Sequence, residues 1–499
     1  MALVAELERA GAPPEGAPLE KGLKVGALGF LSSLVIGVAS TAPGYSVAAS
    51  LGVVASSVAT QSPAVLWVAF LPMLCIAASY YSLNRVDPDC GTTFTWVTRS
   101  MGPWAGWIAG WALLAADLLI MASLGQIAGK YSFRLFGAET LARDPFAVTA
   151  VSVAWVVLMT WLCYVGIEVS ARTQWFLLGA EVLVLAVFAA VALVRVYAGE
   201  FPDSVVPSLA WLNPFALTPS ALNEGVLTAV FIYWGWDTAV AVNEETERAQ
   251  HTPGHAAILS TFLLLGLYLI VAVAAQAVHG PRFLADNRDD VLSALGSHVL
   301  PFGLDKLLIV AVLTSASAAT QTTILPATRS MLAMAAHGAA PRSLGEISPR
   351  YLTPGVSTLW MGGISIVWCI ALPLASQYVI QDSVTATGLA ISFYLGLTGL
   401  ASAVYFRKAL FNDLRTFLLA GVLPLVGFVW LGYVFVRSCI DLSDPAHSES
   451  GLPWLGVSLP LAIGILSLAT GLVLMSLAWR ADPAFFRRKP EHAPADTRL

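Results

Sequence analysis

The stretch FIYWGWDTAVAVNEET, Phe231 to Thr246, decides how this chain folds. An apolar run, ALNEGVLTAV, leads into it. Gly235 then sits between Trp234 and Trp236, Asp237 follows, and Glu244 and Glu245 close the stretch. An acid at the midplane of a membrane helix costs at least ~2.5 kcal/mol by insertion scales, so an intramembrane aspartate signals a site. Glycine beside it tolerates backbone angles that other residues avoid. The pattern predicts a helix that breaks at YWGWD. Gly235 would let a ligand approach the backbone, while Tyr233, Trp234 and Trp236 would wall the pocket.

Composition identifies the solvent. The chain is 57% hydrophobic and 11% charged, against ~25% charged in a soluble domain. A span needs ~20 mostly apolar residues, and twelve such stretches run along the chain, with little left over for a soluble domain. Backbone groups in lipid must be satisfied within each helix, so the fold is an all-α polytopic membrane protein. Of the 26 lysines and arginines, 18 fall on the side of the termini and 8 on the other. Positive charge stays inside, which predicts both termini cytoplasmic in a multi-pass plasma-membrane protein. The start, MALVAELERAGAPPEGAPLEKG, has no apolar core region and reads as a flexible tail; the end, PEHAPADTRL, reads as another. The five cysteines and seven histidines show no metal-ligand spacing, so no metal and no cofactor is expected.

The partner of the opening stretch is LGFLSSLVIGVASTAPGYSVAASLGVV in the first span, where Pro43 and Gly44 follow VASTA at mid-span. Pro43 lacks a donor and clashes with the preceding turn. Two interrupted helices in matching positions predict an inverted repeat of five helices plus five, with two helices added. The expected organisation is a cytoplasmic tail (1–24), a first repeat (25–198), an extracellular loop (199–219), a second repeat (220–407), two further helices (408–480) and a cytoplasmic tail (481–499). Long loops are expected at Arg85–Gly102 and Gly280–Leu304. A half-helix N-terminus suits a carboxylate and a half-helix C-terminus suits an ammonium. Candidate substrate-binding residues are therefore Ser40, Thr41, Ala42, Pro43, Gly44, Tyr233, Trp234, Gly235, Trp236 and Asp237, with a carboxylate near Thr41–Gly44.

Four stretches resemble the amino acid–polyamine–organocation superfamily of permeases. They are the broken IGVASTAPGYS, the segment DPDCGTTFTWVTRSMGPWAGWIAGW, the break FIYWGWDTAVAVNEET, and LPATRSMLAMAAHGAAP, in which His337 stands where an acid is common. The resemblance implies the leucine-transporter-type fold and secondary transport of amino acids or amines.

Three acids lie within spans: Asp117, Glu181 and Asp237. Glu181 falls about seven residues inside the expected cytoplasmic end of the fifth span. In sodium-independent relatives an ionisable residue near this point replaces a sodium ion, so the resemblance makes Glu181 a proton-coupling candidate, with Asp117 as its competitor. Hydroxyls in TSAS, Thr314 and Ser315 among them, would instead coordinate sodium against the carbonyls of the first span. The reading is a permease importing an amino acid or related amine by alternating access, coupled to protons in preference to sodium. The alternatives are a polyamine or cationic-amine transporter, an exchanger, or, in a different class, a channel or receptor. An enzyme is not expected, since no span carries HExxH or a paired His–acid motif. The expected partners are a small molecule and the bilayer, without nucleic acid, around a monomer or weak oligomer.

Overall fold

The computed structural model describes residues 21–499 apart from 289, 301, 302, 376, 449 and 452. The tail expected over 1–24 thus lies mostly outside the described residues. Among the described residues the chain is a bundle of long helices with one two-stranded hairpin, Pro453–Trp454 against Val457–Ser458. Among its helices are α1 (Phe30–Ser40), α2 (Pro43–Val58), α3 (Ser62–Val86), α4 (Thr93–Met101), α5 (Pro103–Leu135), α6 (Pro145–Val165), α7 (Ile167–Tyr197), α8 (Pro219–Ala229), α9 (Thr238–Ala241), α10 (Thr252–Asp286), α11 (Val291–Val299), α12 (Lys306–Ala336), α13 (Gly355–Ala375), α14 (Gln377–Tyr405), α15 (Leu423–Asp441) and α16 (Leu459–Ala481).

Among the described residues, ten stretches are long and apolar enough to cross a membrane. The count differs from the twelve expected for a physical reason. The stretch 220–246 is divided into α8, a 3₁₀ turn and the short α9, and no piece is long enough alone. The helices α1 to α3 follow one another so closely that Phe30–Val86 counts as one stretch.

Small residues set the packing. Close approach of membrane helices rests on Gly, Ala, Ser and Thr, and α12 carries the run TSASAATQTT. The most apolar windows of α5 and α12 are 83% and 72% buried, while that of α16 is 17% buried. The site therefore belongs to the centre, around α5 and α12, and α16 belongs to the lipid-facing rim.

Three expectations about connections need correction. The loop Arg85–Gly102 contains α4, an amphipathic helix whose aromatic and hydroxyl residues turn inward. The loop Gly280–Leu304 is also structured: α10 kinks at Gly280, continues to Asp286, and is followed by α11. The end PEHAPADTRL is not free. The Glu491 N–H donates to the Arg99 carbonyl, Ala493 to Tyr405 and Leu499 to Thr416, and Ala493 and Leu499 are buried. Its prolines and charges suit a tail, but Ala493 and Leu499 find a ready-made floor in the segment 405–416.

Candidate functional site

The first break lies between α1 and α2. Thr41 ends the first helix, Ala42 takes a left-handed backbone conformation (φ 47°), and Pro43 starts the second, where its missing N–H costs nothing. The second break begins where α8 tightens into the 3₁₀ turn Val230–Tyr233. Trp234 is extended and Gly235 has φ 118°. The two breaks touch. A Cβ on Gly235 would lie 2.5 Å from the Ser40 carbonyl oxygen and 3.0 Å from the Thr41 nitrogen. Gly235 is thus needed so that one backbone can rest on another; in this conformation the space beside it holds Ser40 in place of a ligand.

Side chains stitch the same contact. The hydroxyls of Ser40 and Thr238 are 2.8 Å apart. The Tyr268 hydroxyl, from α10, donates to the Ile232 carbonyl at 2.7 Å and reaches the Thr41 hydroxyl at 3.5 Å. One tyrosine on α10 therefore holds both breaks.

Beside the contact is a small cavity with room for about one water molecule (about 10 Å³). Of the residues expected in the site, Ser40, Trp234, Gly235, Asp237 and Asp117 line it. Tyr233 and Trp236 do not. Tyr233 is fully buried against Phe70 and Tyr268 and donates to the Leu66 carbonyl; Trp236 is fully buried with its ring edge-on to Tyr80. They are core residues because the break turns their side chains away from Asp237. Thr41, Ala42, Pro43 and Gly44 are buried in the break itself and do not line the cavity either.

Tyr394, on α14, was not among the expected residues. Its hydroxyl donates to Asp237 Oδ2 at 2.9 Å and accepts from Trp234 Nε1 at 2.6 Å. Only its depth, midway along an apolar run, hinted at it. Asp117 is buried and its Oδ2 has no hydrogen-bond partner.

Glu181 sits fourteen residues into α7, about seven more than expected, because α7 begins at Ile167. It is fully buried, and its Oε1 accepts the Gly44 N–H at 2.5 Å. The Tyr45 N–H donates to Ser315 Oγ at 3.1 Å, and Ser315 also lies against the Glu181 carboxyl. The N-terminus of α2, expected to receive a substrate carboxylate, is therefore capped by the protein's own side chains. Ser315 meets an N–H of α2, not the carbonyls expected for sodium. Thr314 turns away, its hydroxyl donating to the Val310 and Ala311 carbonyls of its own helix.

Near the docked C-terminal segment, Lys21 is buried with its ammonium 2.8 Å from Asp89 and 2.5 Å from Glu244. Burial pulls the Lys21 pKa down, but Asp89, Cys90 and Glu244 outweigh it, so the ammonium stays well above the usual lysine range. Burial works against Asp89 as well, yet Lys21 and His337 hold its carboxyl well below the usual carboxylate range. Asp89, Cys90 and Glu244 bring three metal-type donor atoms within 4.8 Å of one another, a grouping no sequence spacing reveals, and Lys21 occupies its two acids. Close by, Arg329 and Glu245 form a fully buried bidentate pair, with both contacts at 2.9 Å. The backbone pairs Leu28 with Thr246, joining the approach to the first break to the exit from the second.

Comparison with known proteins gives a consistent set. The profile of the amino acid permease family matches residues 27–468. The chain is 26% identical over 428 residues to an uncharacterized transporter of Mycobacterium bovis, covering 85% of this chain and 88% of that one. It is 25% identical over 407 residues to the branched-chain amino acid permease BcaP of Lactococcus lactis, covering 78% and 84%. It is 22% identical over 417 residues to the low-affinity putrescine importer PlaP of Escherichia coli, covering 82% and 87%.

Proposed function

This chain belongs to the amino acid permease family, and on that premise we propose that it is a secondary active transporter for an amino acid or related amine. A member of that family is a permease and not an enzyme. The proposal has the chain span the plasma membrane twelve times. The segments 25–198 and 220–407 form two five-helix repeats of opposite orientation, with both termini in the cytoplasm, and the protein acts as a monomer or weak oligomer. The observation that carries the reading is the contact of two broken helices, Gly235 on Ser40, beside a cavity nearly closed to water. Irregular backbone at membrane depth survives only where it is buried in protein or lines a cavity. A site of this size admits a substrate only when the breaks separate, which is what alternating access requires.

Glu181 supports proton coupling. It is buried and caps α2 at the first break. Protonation would weaken that cap and deprotonation restore it, linking a proton to the position of the half-helix. The rival sodium site loses support because Thr314 and Ser315 are engaged elsewhere. The test is uptake of radiolabelled amino acids and amines into proteoliposomes, with and without an inward proton gradient. Accumulation should follow the proton gradient. Accumulation that follows sodium alone would overturn the coupling, and passive conductance without saturation would overturn the transporter in favour of a channel.

A further inference from the structure

The two broken helices treat the two charges of a zwitterion unequally. A substrate carboxylate needs free N–H donors or a cation. Across the first break the N–H groups are already used: Thr41 donates to Val38, Ala42 to Ala39, Gly44 to Glu181, Tyr45 to Ser315 and Ser46 to Ala42, and Pro43 has none. The donor best placed to meet a carboxylate, the Gly44 N–H at the start of α2, already holds one, that of Glu181. The cavity beside the break is lined by two acids, Asp117 and Asp237, and, among the described residues, by no lysine, arginine or histidine. Asp237 has Tyr394 on one oxygen, and the Tyr80 hydroxyl also lies against its carboxyl. Asp117 is buried, lines the cavity and leaves Oδ2 without a partner. An unpaired carboxylate at this depth is expensive unless it takes up a proton or a cation meets it.

We infer that the substrate is an aliphatic diamine that carries no carboxylate, with one ammonium received by Asp237 and the other by Asp117, while Glu181 fills the place a substrate carboxylate would take. The inference rests on the permease reading and narrows it. Asp117 acts as the specificity residue, because it sits on the unbroken α5 and makes no cap of its own. An amino acid bearing the same amines would bring a carboxylate to a site with two acids and no free donor at the first break.

The test uses a pair of probes that differ by one carboxylate, 1,4-diaminobutane and ornithine, together with n-butylamine and a panel of neutral amino acids. Each is assayed as substrate and competitor with the full-length protein in proteoliposomes. A hydrogen bond to a charged group contributes ~1.5–3 kcal/mol, which converts to about 10- to 150-fold in affinity. Ornithine keeps both ammonium groups but brings a carboxylate with no partner, so diaminobutane should outcompete it by at least about 10-fold. Asp117→Asn should weaken diaminobutane by about 10-fold or more and n-butylamine by less than about 3-fold, while Asp117→Glu should restore part of the difference. Ornithine or a neutral amino acid transported as well as diaminobutane overturns the inference and leaves the permease reading standing. Equal losses for both amines in Asp117→Asn overturn the role of Asp117. No saturable uptake of any probe by protein that is folded and monodisperse overturns the permease reading, and the inference with it.

Discussion

Gly235→Ala is the smallest change that tests the contact between the two breaks. The new methyl would lie 2.5 Å from the Ser40 oxygen, 2.7 Å from the Ser40 carbonyl carbon and 3.0 Å from the Thr41 nitrogen, where ordinary contact begins at 3.4 Å. The breaks must separate by roughly 0.9 Å, and all three obstacles are backbone, so no rotamer can relieve the clash. Overpacking of this kind costs about 1–3 kcal/mol. A φ of 118° at a residue with a Cβ adds about 1–3 kcal/mol of strain. The sum, about 2–6 kcal/mol, should lower the melting temperature in detergent by several degrees and abolish uptake. The assay pairs scanning fluorimetry with substrate counterflow, so that a folded but inactive protein is seen as such. A Gly235→Ala protein with wild-type melting temperature and counterflow would refute the claim that these backbones rest on one another in the working cycle.

Glu181→Gln keeps an acceptor for the Gly44 N–H but cannot exchange a proton, so binding and counterflow should persist while accumulation driven by a pH gradient is lost. Accumulation that survives in this variant but fails in Asp117→Asn moves the coupling to Asp117. Glu245→Gln strands a fully buried guanidinium and should cost about 3–5 kcal/mol of stability, seen as a large fall in melting temperature; a loss under 1 kcal/mol would contradict the burial of the pair. Asp87, which follows α3 and lies outside the spans, pairs with Arg99 at 3.1 Å through one oxygen. Burial outweighs that pairing and pushes its pKa up to about 7, against ~3.9 in the unfolded chain. The folded state therefore binds the extra proton, so this group's contribution to stability falls as pH rises from about 4 to about 7 and is level above that. Asp87→Asn should flatten that fall in a melting-temperature series over pH, and an unchanged slope would show that another group causes it.

Much of this was legible in the residues and some was not. Both breaks were visible because Pro43 and Gly235 interrupt apolar runs, and an interruption at membrane depth has few explanations. Asp117 and Asp237 were visible because a charge in a span is conspicuous. The partners of these groups were not, since they come from distant parts of the chain. Tyr394 and Tyr268 look like ordinary apolar-span tyrosines until the fold sets them across the breaks. Trp236 and Tyr233 misled for the opposite reason: adjacency in sequence suggests a shared pocket, but a backbone that turns at Gly235 sends neighbouring side chains to different sides. The capping of α2 by Glu181 was hidden by an error of two helical turns in the start of α7. The docked terminus was hidden because its prolines and charges outnumber the two apolar residues that anchor it.

The atoms of Gly235 and Ser40 that touch are main chain, while the hydroxyls of Ser40, Thr238 and Tyr268 stitch around them. The main-chain part of that joint can be kept or lost, and mutation can adjust by degrees only the hydroxyls around it. Asp117 on α5 is the reverse: it projects from a continuous helix with Oδ2 unpartnered, whereas Tyr394 on α14 is bonded to Trp234 and Asp237 of the second break. On the diamine reading, cargo recognition is thus divided between Asp237 on the broken segment and Asp117 on an unbroken helix. Redesign of this protein for a new cargo should begin at Asp117, where a change in what is carried need not disturb how it is carried.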